Sequence, residues 1–370
     1  MPTFPPHCEA RSRGLLRSSA RCGLLVVAAI LTLLVRPAFV AAQATCSSTA
    51  AISCGEIKSG GIGALSETDC YTFTGEAGEV VQLLSKAVGS TIQACAQLRD
   101  SAGNIVNVGS CNAATTITLP ASDTYTIRLY DQSNNQTGNY NVQMQVLSAT
   151  ASSCPVLTLP CGAQSGGRVL SSIVQSDTYR FVTSAANEVV SITTSDVATG
   201  FDACWQLYAA DGTAIGAQKC GQAVRTLPLA GAYTIRAFEL SNDATGGYRM
   251  DVTTVSATAT SCPDATLTLC QKQSSSIATL GDNDTYWFTT TATGQVIDIA
   301  TTTTSGTMTT CWEMFNADGS STGSLIVCGA DQRVIATPGT YVLRVFDQTY
   351  TGVGTYDLLV GPPGLSLIHI

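Results

Sequence analysis

Apolar and polar residues alternate in short stretches along this chain. In 125–128 and 233–236, Tyr and Ile alternate with Thr and Arg. A period of two places the apolar side chains on one face of a β-strand and the polar ones on the other. Asp-Gly pairs at 211–212 and 318–319 interrupt the alternation, as hairpin turns do. The pattern therefore predicts antiparallel strands joined by tight turns.

The strand pattern occurs three times. Cys46, Cys154 and Cys262 lie 108 residues apart, and the tyrosines at 140, 248 and 356 repeat at the same interval. Similarity at a fixed spacing indicates tandem copies of one folding unit. Each copy holds about eight predicted strands, which is typical of a β-sandwich. We therefore predict an all-β protein of three antiparallel β-sandwiches: module 1 (45–150), module 2 (151–258) and module 3 (259–361).

The repeated strands also resemble a known family. Each module has a D-x-Y-x-F strand and a closing strand with one Tyr: Asp69/Tyr71/Phe73 with Tyr140, Asp177/Tyr179/Phe181 with Tyr248, and Asp284/Tyr286/Phe288 with Tyr356. These strands resemble bacterial pre-peptidase C-terminal domains. The resemblance implies jelly-roll-like sandwiches that act as non-catalytic accessory modules of exported proteins, some of which are associated with polysaccharide or protein substrates. The cysteines are additional to that family pattern.

Residues 1–44 have the parts of a secretory signal peptide. Four arginines precede an apolar run of 13 residues at 23–35. That run is shorter than the roughly 20 residues that span a bilayer. Ala42-Gln43-Ala44 then fits a signal peptidase site. We predict a secreted or cell-surface protein with no membrane segment after the signal is removed; the alternative is an uncleaved N-terminal anchor.

The composition excludes several classes of function. The formal net charge is −8, and removal of 1–44 leaves 13 basic and 25 acidic residues, a net of −12. Nucleic acids require basic patches, so we exclude them as partners. Both histidines, His7 and His369, lie outside the three modules. Without His, the modules lack Ser-His-Asp and Cys-His catalysis and His-based metal sites, so we predict a non-enzyme without a cofactor.

Thirteen cysteines remain after 1–44, four in each module and one more. Disulfides agree with export to an oxidising compartment. Spacing alone leaves the connectivity open, and two pairs within each module is the simplest choice. This predicts six intramodule disulfides: Cys46–Cys54, Cys154–Cys161, Cys262–Cys270, Cys95–Cys111, Cys204–Cys220 and Cys311–Cys328.

Cys70 is the additional cysteine. It occupies the position of Thr178 and Thr285 in the other modules. The alternation directs its side chain away from the core residues Tyr71 and Phe73. We predict a partly covered free thiol; the alternative is an intermolecular disulfide that forms a covalent dimer.

Two tryptophans are candidates for ligand binding. Trp205 and Trp312 directly follow Cys204 and Cys311. If the cysteines point inward, the indole rings point outward and could stack on sugar rings. The alternative is that the rings pack against a loop or between modules.

Carboxylates offer a second candidate site. Asp282 and Asp284 form the best local pair for Ca²⁺, which prefers oxygen ligands. No complete D-x-D-x-D-G loop is present, so this remains the weaker hypothesis, and we predict no metal.

The segment 362–370 reads as a linker followed by foreign sequence. Its last six residues, 365–370, match the translation of a transposase adapter used in sequencing libraries, so we expect them to be an artefact. We predict a secreted, non-catalytic binding or spacer array, with extracellular polysaccharide or a cell-surface or matrix protein as partner. The alternatives are the accessory part of a larger, truncated hydrolase or peptidase, and a structural adhesin or stalk.

Overall fold

The computed structural model describes residues 45–149, 154, 157–159, 162, 164–197, 199–257, 265–323 and 326–364. The predicted signal peptide 1–44, the predicted artefact 365–370, and Cys161 and Cys262 lie outside the described residues. Across the described ranges, every regular secondary-structure element is a β-strand. In this part of the chain no helix is long and apolar enough to cross a membrane.

Module 1 is a sandwich of two sheets. Its strands are β1 (Ser48–Ala51), β2 (Ile57–Ile62), β3 (Asp69–Gly75), β4 (Val80–Val88), β5 (Ala94–Arg99), β6 (Ile105–Cys111), β7 (Ala114–Thr118), β8 (Asp123–Asp131) and β9 (Gly138–Val146). The five-stranded sheet has the order β1-β3-β8-β5-β6, and the four-stranded sheet has the order β2-β9-β4-β7.

Module 2 repeats this arrangement. Its strands are β10 (Leu157–Thr158), β11 (Arg168–Leu170), β12 (Ser176–Thr183), β13 (Glu188–Asp196), β14 (Ala203–Tyr208), β15 (Ala214–Cys220), β16 (Ala223–Leu227), β17 (Gly231–Glu239) and β18 (Gly246–Thr254). The sheet orders are β10-β12-β17-β14-β15 and β11-β18-β13-β16.

Module 3 has the same topology. Its strands are β19 (Ala265–Thr266), β20 (Gln273–Ile277), β21 (Asn283–Thr290), β22 (Val296–Gly306), β23 (Thr310–Asn316), β24 (Val327–Cys328), β25 (Ala330–Val334), β26 (Gly339–Asp347) and β27 (Gly354–Gly361). The sheet orders are β19-β21-β26-β23-β24 and β20-β27-β22-β25.

The all-β prediction of three sandwich modules with intramodule disulfides is confirmed, with one difference in strand pairing. The first strand of each module runs parallel to its neighbour, as β1 does to β3, whereas the other pairs are antiparallel. A parallel pair needs a long connection. Here β2 and a loop supply that connection, so the chain changes sheets before it returns to β3.

Each module encloses its own hydrophobic core between its two sheets. The alternation seen in the sequence explains this arrangement. In β8, for example, the buried positions are Tyr125, Ile127 and Leu129, and the residues between them are more exposed. The tyrosine of this strand also donates a hydrogen bond from its hydroxyl to the Ala121 carbonyl at 2.6 Å, and the equivalent Tyr233 does the same to Leu229.

Candidate functional site

The two candidate tryptophans lie in the module cores. Trp205 and Trp312 are both 0% exposed. Each indole Nε1 donates to a backbone carbonyl, that of Gly221 at 2.8 Å and that of Gly329 at 2.9 Å. The hypothesis of an outward stacking surface is therefore wrong. The preceding cysteines occupy the outer face of the strand, so the alternation turns the rings inward.

The aspartates of the D-x-Y-x-F strands accept hydrogen bonds from buried tyrosines. Tyr140 Oη donates to Asp69 Oδ2 at 2.7 Å and lies 3.0 Å from Tyr71 Oη. Modules 2 and 3 repeat the arrangement with Asp177 and Asp284. Burial, and after it the neighbouring hydroxyl and carboxylate, raises the pKa of Tyr140, so its hydroxyl stays protonated and donates. These clusters are hydrogen-bonded parts of the cores.

The calcium candidates do not share one site. Asp284 Oδ2 lies in the core, where it accepts hydrogen bonds from Tyr356 at 2.5 Å and from Ser275 at 3.0 Å. Asp282 Oδ2 instead accepts the backbone N–H of Ala278 at 3.0 Å, in the preceding turn. Within the described residues no three His, Cys, Asp or Glu side chains are grouped as a metal site.

The second carboxylate of each module fixes a loop. Asp347 accepts N–H groups of Thr309, Thr351 and Gly352 at 2.7–3.1 Å. Burial tends to raise the pKa of Asp347, but these backbone donors outweigh it and hold the pKa below its usual value. The bonds therefore join the loop before β23 to the loop before β27.

Acid should weaken this loop through Asp347. Because its folded pKa is depressed, its stabilising contribution is complete above the unfolded pKa of about 3.9 and is lost as pH falls through the folded value. We expect Asp347→Asn to lower the melting temperature at pH 7 and to have a progressively smaller effect as the pH falls below about 4. Melting curves across this range test the prediction, and Asp202→Asn, at an exposed aspartate in the loop before β14, is the control. A difference that grows towards acid would contradict it.

Three of the predicted disulfides are confirmed. Cys95–Cys111, Cys204–Cys220 and Cys311–Cys328 each join two adjacent strands of the five-stranded sheet, with Cα atoms 3.9 Å apart. Cysteines that face each other across a hairpin are in reach of one another.

The predicted pairs near the start of each module are wrong. Cys46 pairs with Cys70, and their Cα atoms are 5.6 Å apart. Cys46 precedes β1 and Cys54 follows it, and a four-residue strand of about 13 Å separates residues that would have to lie within about 7 Å. Cys70, which is 0% exposed, is therefore neither a free thiol nor the link of a covalent dimer.

Cys54 instead pairs with Cys154, 100 residues further along the chain. Cys154 belongs to the repeat of module 2, yet it packs into the core of module 1 and is 9% exposed. The disulfide thus anchors the segment that leads into module 2 onto module 1. Because Cys154 is used here, the predicted Cys154–Cys161 pair is wrong.

Cys270 is an exposed free cysteine, so the predicted Cys262–Cys270 pair is also wrong. Its N–H donates to the Val360 carbonyl at 2.8 Å, as the N–H of Gly55 donates to Met144. Its φ of 67° also matches the 78° of Gly55. Cys270 thus stands one position beyond the site of Cys54, in the turn itself.

Iodoacetamide should modify Cys270 in the native protein and leave Cys70 unmodified. Cys270 carries an exposed thiol, whereas the sulfur atom of Cys70 is bonded to Cys46 in a disulfide. Peptide mapping by mass spectrometry after labelling without reductant measures both, and Cys270→Ser is the control for the label. Modification of Cys70 would contradict the Cys46–Cys70 pair.

The described modules meet at two joints. At joint 1, Val80 and Leu147 of module 1 form a buried cluster with Tyr208 of module 2. The Asp-Gly turn of module 2 lies against the same valine. A Cβ added at Gly212, whose φ is 84°, would lie 2.5 Å from Val80 Cβ. Only glycine therefore allows the turn to approach this closely.

Polar contacts complete joint 1. The Ser176 N–H donates to Gln143 Oε1 at 2.8 Å, and Gln145 Nε2 donates to the Ser176 carbonyl at 2.5 Å. The Ala149 N–H donates to the Ala210 carbonyl at 2.8 Å. The outer face of the four-stranded sheet of module 1 thus binds the outer face of the five-stranded sheet of module 2.

Joint 2 uses the equivalent faces of modules 2 and 3. Val189 and Val255 of module 2 cluster with Phe315 and Val342 of module 3. A Cβ at Gly319 would lie 2.4 Å from Val189 Cβ. Phe315 takes the place of Tyr208, so the same plug of one aromatic residue and one glycine turn occurs twice.

The polar contacts of joint 2 also match those of joint 1. Asn283, at the position of Ser176, donates from Nδ2 to Asp251 Oδ2 at 2.8 Å. The Ala257 N–H donates to the Ala317 carbonyl at 2.7 Å. Since the same two faces meet at both joints, the interface is of the head-to-tail kind.

An arginine of the five-stranded sheet lies in each joint. Arg236 at joint 1 is 5% exposed, and Arg344 at joint 2 is 0% exposed. Arg344 donates to Ser191 Oγ of module 2 at 2.6 Å and to Glu313 at 2.8 Å. Buried guanidinium groups are costly unless they are hydrogen-bonded, so the bond from Arg344 to Ser191 helps to fix how module 3 sits against module 2.

No family model and no curated protein matches this chain. Among solved structures, it is similar to the pre-peptidase C-terminal domain of a collagenase from Bacillus anthracis, with 23% identity over 26% of this chain and 95% of that chain and a TM-score of 0.22. It is also similar to a periplasmic inhibitor of g-type lysozyme from Aeromonas hydrophila, with 17% identity over 27% and 96% and a TM-score of 0.22. A triple jelly-roll protein of an archaeal virus shares 8% identity over 84% and 89%, with a TM-score of 0.17.

The two joints are not among the predictions made from the sequence. One signal for them was present, because Val80 and Val189 are apolar at positions that the alternation directs away from the module cores. Apolar residues on both faces of a strand indicate that both faces are covered. The glycine of the Asp-Gly turns had a local explanation as a turn residue, which concealed its second role.

Proposed function

We propose that this protein is a secreted, non-catalytic spacer in which three β-sandwich modules are locked at fixed mutual orientations. The observation that carries the proposal is the Cys54–Cys154 disulfide, which holds the entry to module 2 in the core of module 1. The default for consecutive domains is relative motion, unless a large apolar interface opposes it. Here a disulfide and two buried interfaces oppose it.

The chemistry of the modules supports a structural role. The repeated Asp–Tyr clusters are hydrogen-bonded in the cores, and the tryptophans are fully buried. The disulfides agree with an oxidising compartment outside the cytosol. Rigid modules of this kind suit a stalk or spacer that sets a distance at a cell surface or in a matrix.

Small-angle X-ray scattering of residues 45–364 tests the proposal. We expect the curve of the oxidised protein to fit one rigid arrangement of the modules. The paired variant Cys54→Ala/Cys154→Ala, with Tyr208→Asp to disrupt the apolar plug, should require an ensemble with a larger mean radius of gyration. Cys95→Ala/Cys111→Ala, which leaves the joints intact, is the control. An ensemble already needed for the unmodified protein would overturn the proposal.

A further inference from the structure

The strands β4 of module 1 and β13 of module 2, which contribute to the joints, are buried on both faces. The equivalent strand of module 3, β22, is not. In β4 the first six residues are buried, and in β13 the first eight are buried. In the equivalent β22, buried and half-buried residues alternate. Ile297 and Ile299 point into the core, whereas Val296, Asp298 and Ala300 on the outer face remain half-buried.

We call this outer face of module 3 the trailing face and define it by Val296, Asp298, Ala300, Thr302 and Val334. Val334 pairs with Val296 across β22 and β25 and is 68% exposed. Val296 is the equivalent of the valines that the aromatic plugs cover at the two joints. The trailing face is therefore equivalent to the faces of modules 1 and 2 that are covered at joints 1 and 2.

Asp298 adds a charge requirement to this face. Its Oδ2 accepts the Gly364 N–H at 2.8 Å, but its Oδ1 is shielded from solvent and has no hydrogen-bond partner among the described residues. The equivalent residue at joint 2 is Ser191, which accepts a hydrogen bond from Arg344. A module that docked in the same way would bring its own arginine to Asp298, and a guanidinium–carboxylate bond is stronger than one to a hydroxyl.

The occupant should be a module of the module 2 type rather than module 1 of a second copy. At the position of Tyr208 and Phe315, module 1 carries Arg99. Docking of a second copy would therefore place a guanidinium group on Val296 instead of an aromatic ring. Module 1 also has a half-buried Arg128 at the position of Arg344, so it meets the charge requirement but not the apolar one.

We propose that the trailing face of module 3 is a docking site for a further β-sandwich module of the module 2 type. That module places an aromatic residue and a glycine turn on Val296 and an arginine on Asp298. The proposal rests on the joint geometry used in the proposed function. It adds a third joint of the same kind, formed by the trailing face of module 3.

The test supplies such a module. Residues 45–361 are extended by a second copy of 146–255, in which the copies of Cys154 and Cys161 are replaced by Ser. Asp298 is then labelled with a carbodiimide and glycine ethyl ester, and its modification is followed by mass spectrometry. Because a tethered module is present at an effective concentration in the millimolar range, we expect docking to slow the labelling about tenfold.

The matched control is the same extended chain with Tyr208→Asp and Arg236→Glu in the added copy. Val296→Asp in module 3 is a second control that leaves the added copy unchanged, and circular dichroism shows that each variant folds. Equal labelling of Asp298 in the extended chain and both controls would overturn the proposal. Protection that instead rises with concentration in the unextended 45–364 chain would assign the face to a second copy and also overturn it. Scattering from the unextended chain reports on joints 1 and 2 alone, so failure of the spacer function is distinguished.

Discussion

Replacing Cys54 and Cys154 together by alanine should lower the free energy of unfolding of module 1 by several kcal/mol. The disulfide closes a loop with a sequence separation of 100 residues. In the chain-entropy model, closure of such a loop stabilises the folded state by about 4.7 kcal/mol, against about 3 kcal/mol for a loop of roughly 15 residues. Both sulfur atoms also pack among the core residues of module 1, so their removal leaves a cavity.

Urea unfolding without reductant measures this difference. The matched control is Cys95→Ala/Cys111→Ala, which opens a loop with a separation of only 16 residues in the same module. We expect the long-loop variant to lose more stability than the control and to unfold in two separated steps, because the entry to module 2 is no longer anchored. A smaller loss than that of the control would contradict the anchoring role.

Trp312→Ala should destabilise module 3 by about 3–5 kcal/mol, the usual cost of removing a large buried aromatic side chain. The indole ring is 0% exposed and belongs to the core of module 3. Its Nε1 donor bonds Gly329, and the guanidinium of Arg333 lies 5.0 Å from the ring centroid. The substitution removes the packing and leaves the Gly329 carbonyl without this donor.

Trp287→Ala is the control for this variant. Trp287 is half-buried and packs against the apolar cluster of joint 2, outside the module core. We expect a smaller loss of melting temperature than for Trp312→Ala. A polysaccharide pull-down on both variants separates the two roles, because a stacking residue would lose binding at an unchanged melting temperature. Loss of sugar binding by a fully stable Trp312→Ala protein would show that the buried position is wrong.

The hairpin disulfides were predictable because their partners are neighbours in both sequence and space. Cys204 and Cys220 flank an Asp-Gly turn, and the turn by itself brings them together. Cys46 and Cys54 are closer still in sequence, yet a strand holds them apart. Their true partners are Cys70, which is brought near by pairing of β1 with β3, and Cys154, which packs in the core of module 1. Neither of these long-range contacts can be predicted from the residues next to the cysteines in the sequence.

The tryptophans show the limit of a period-two pattern. Alternation establishes that Cys311 and Trp312 face opposite sides of β23, but it does not state which side is the core. The choice depends on which sheet lies opposite, and here the ring enters the space between the two sheets of module 3. The assignment of one residue to the wrong face reversed the interpretation of the whole candidate site.

The amino-acid sequence was enough to predict the all-β class, the three repeated sandwich modules and the hairpin disulfides, because each depends on periodicity or on residues close in the chain. The Cys46–Cys70 and Cys54–Cys154 pairs, the burial of Trp205 and Trp312, and the two joints became visible only in the folded chain. These depend on contacts between residues far apart in the chain. An outward valine has the same local pattern whether solvent or another module covers it, and the burial of Val80 and Val189 is settled only when the next module packs against them.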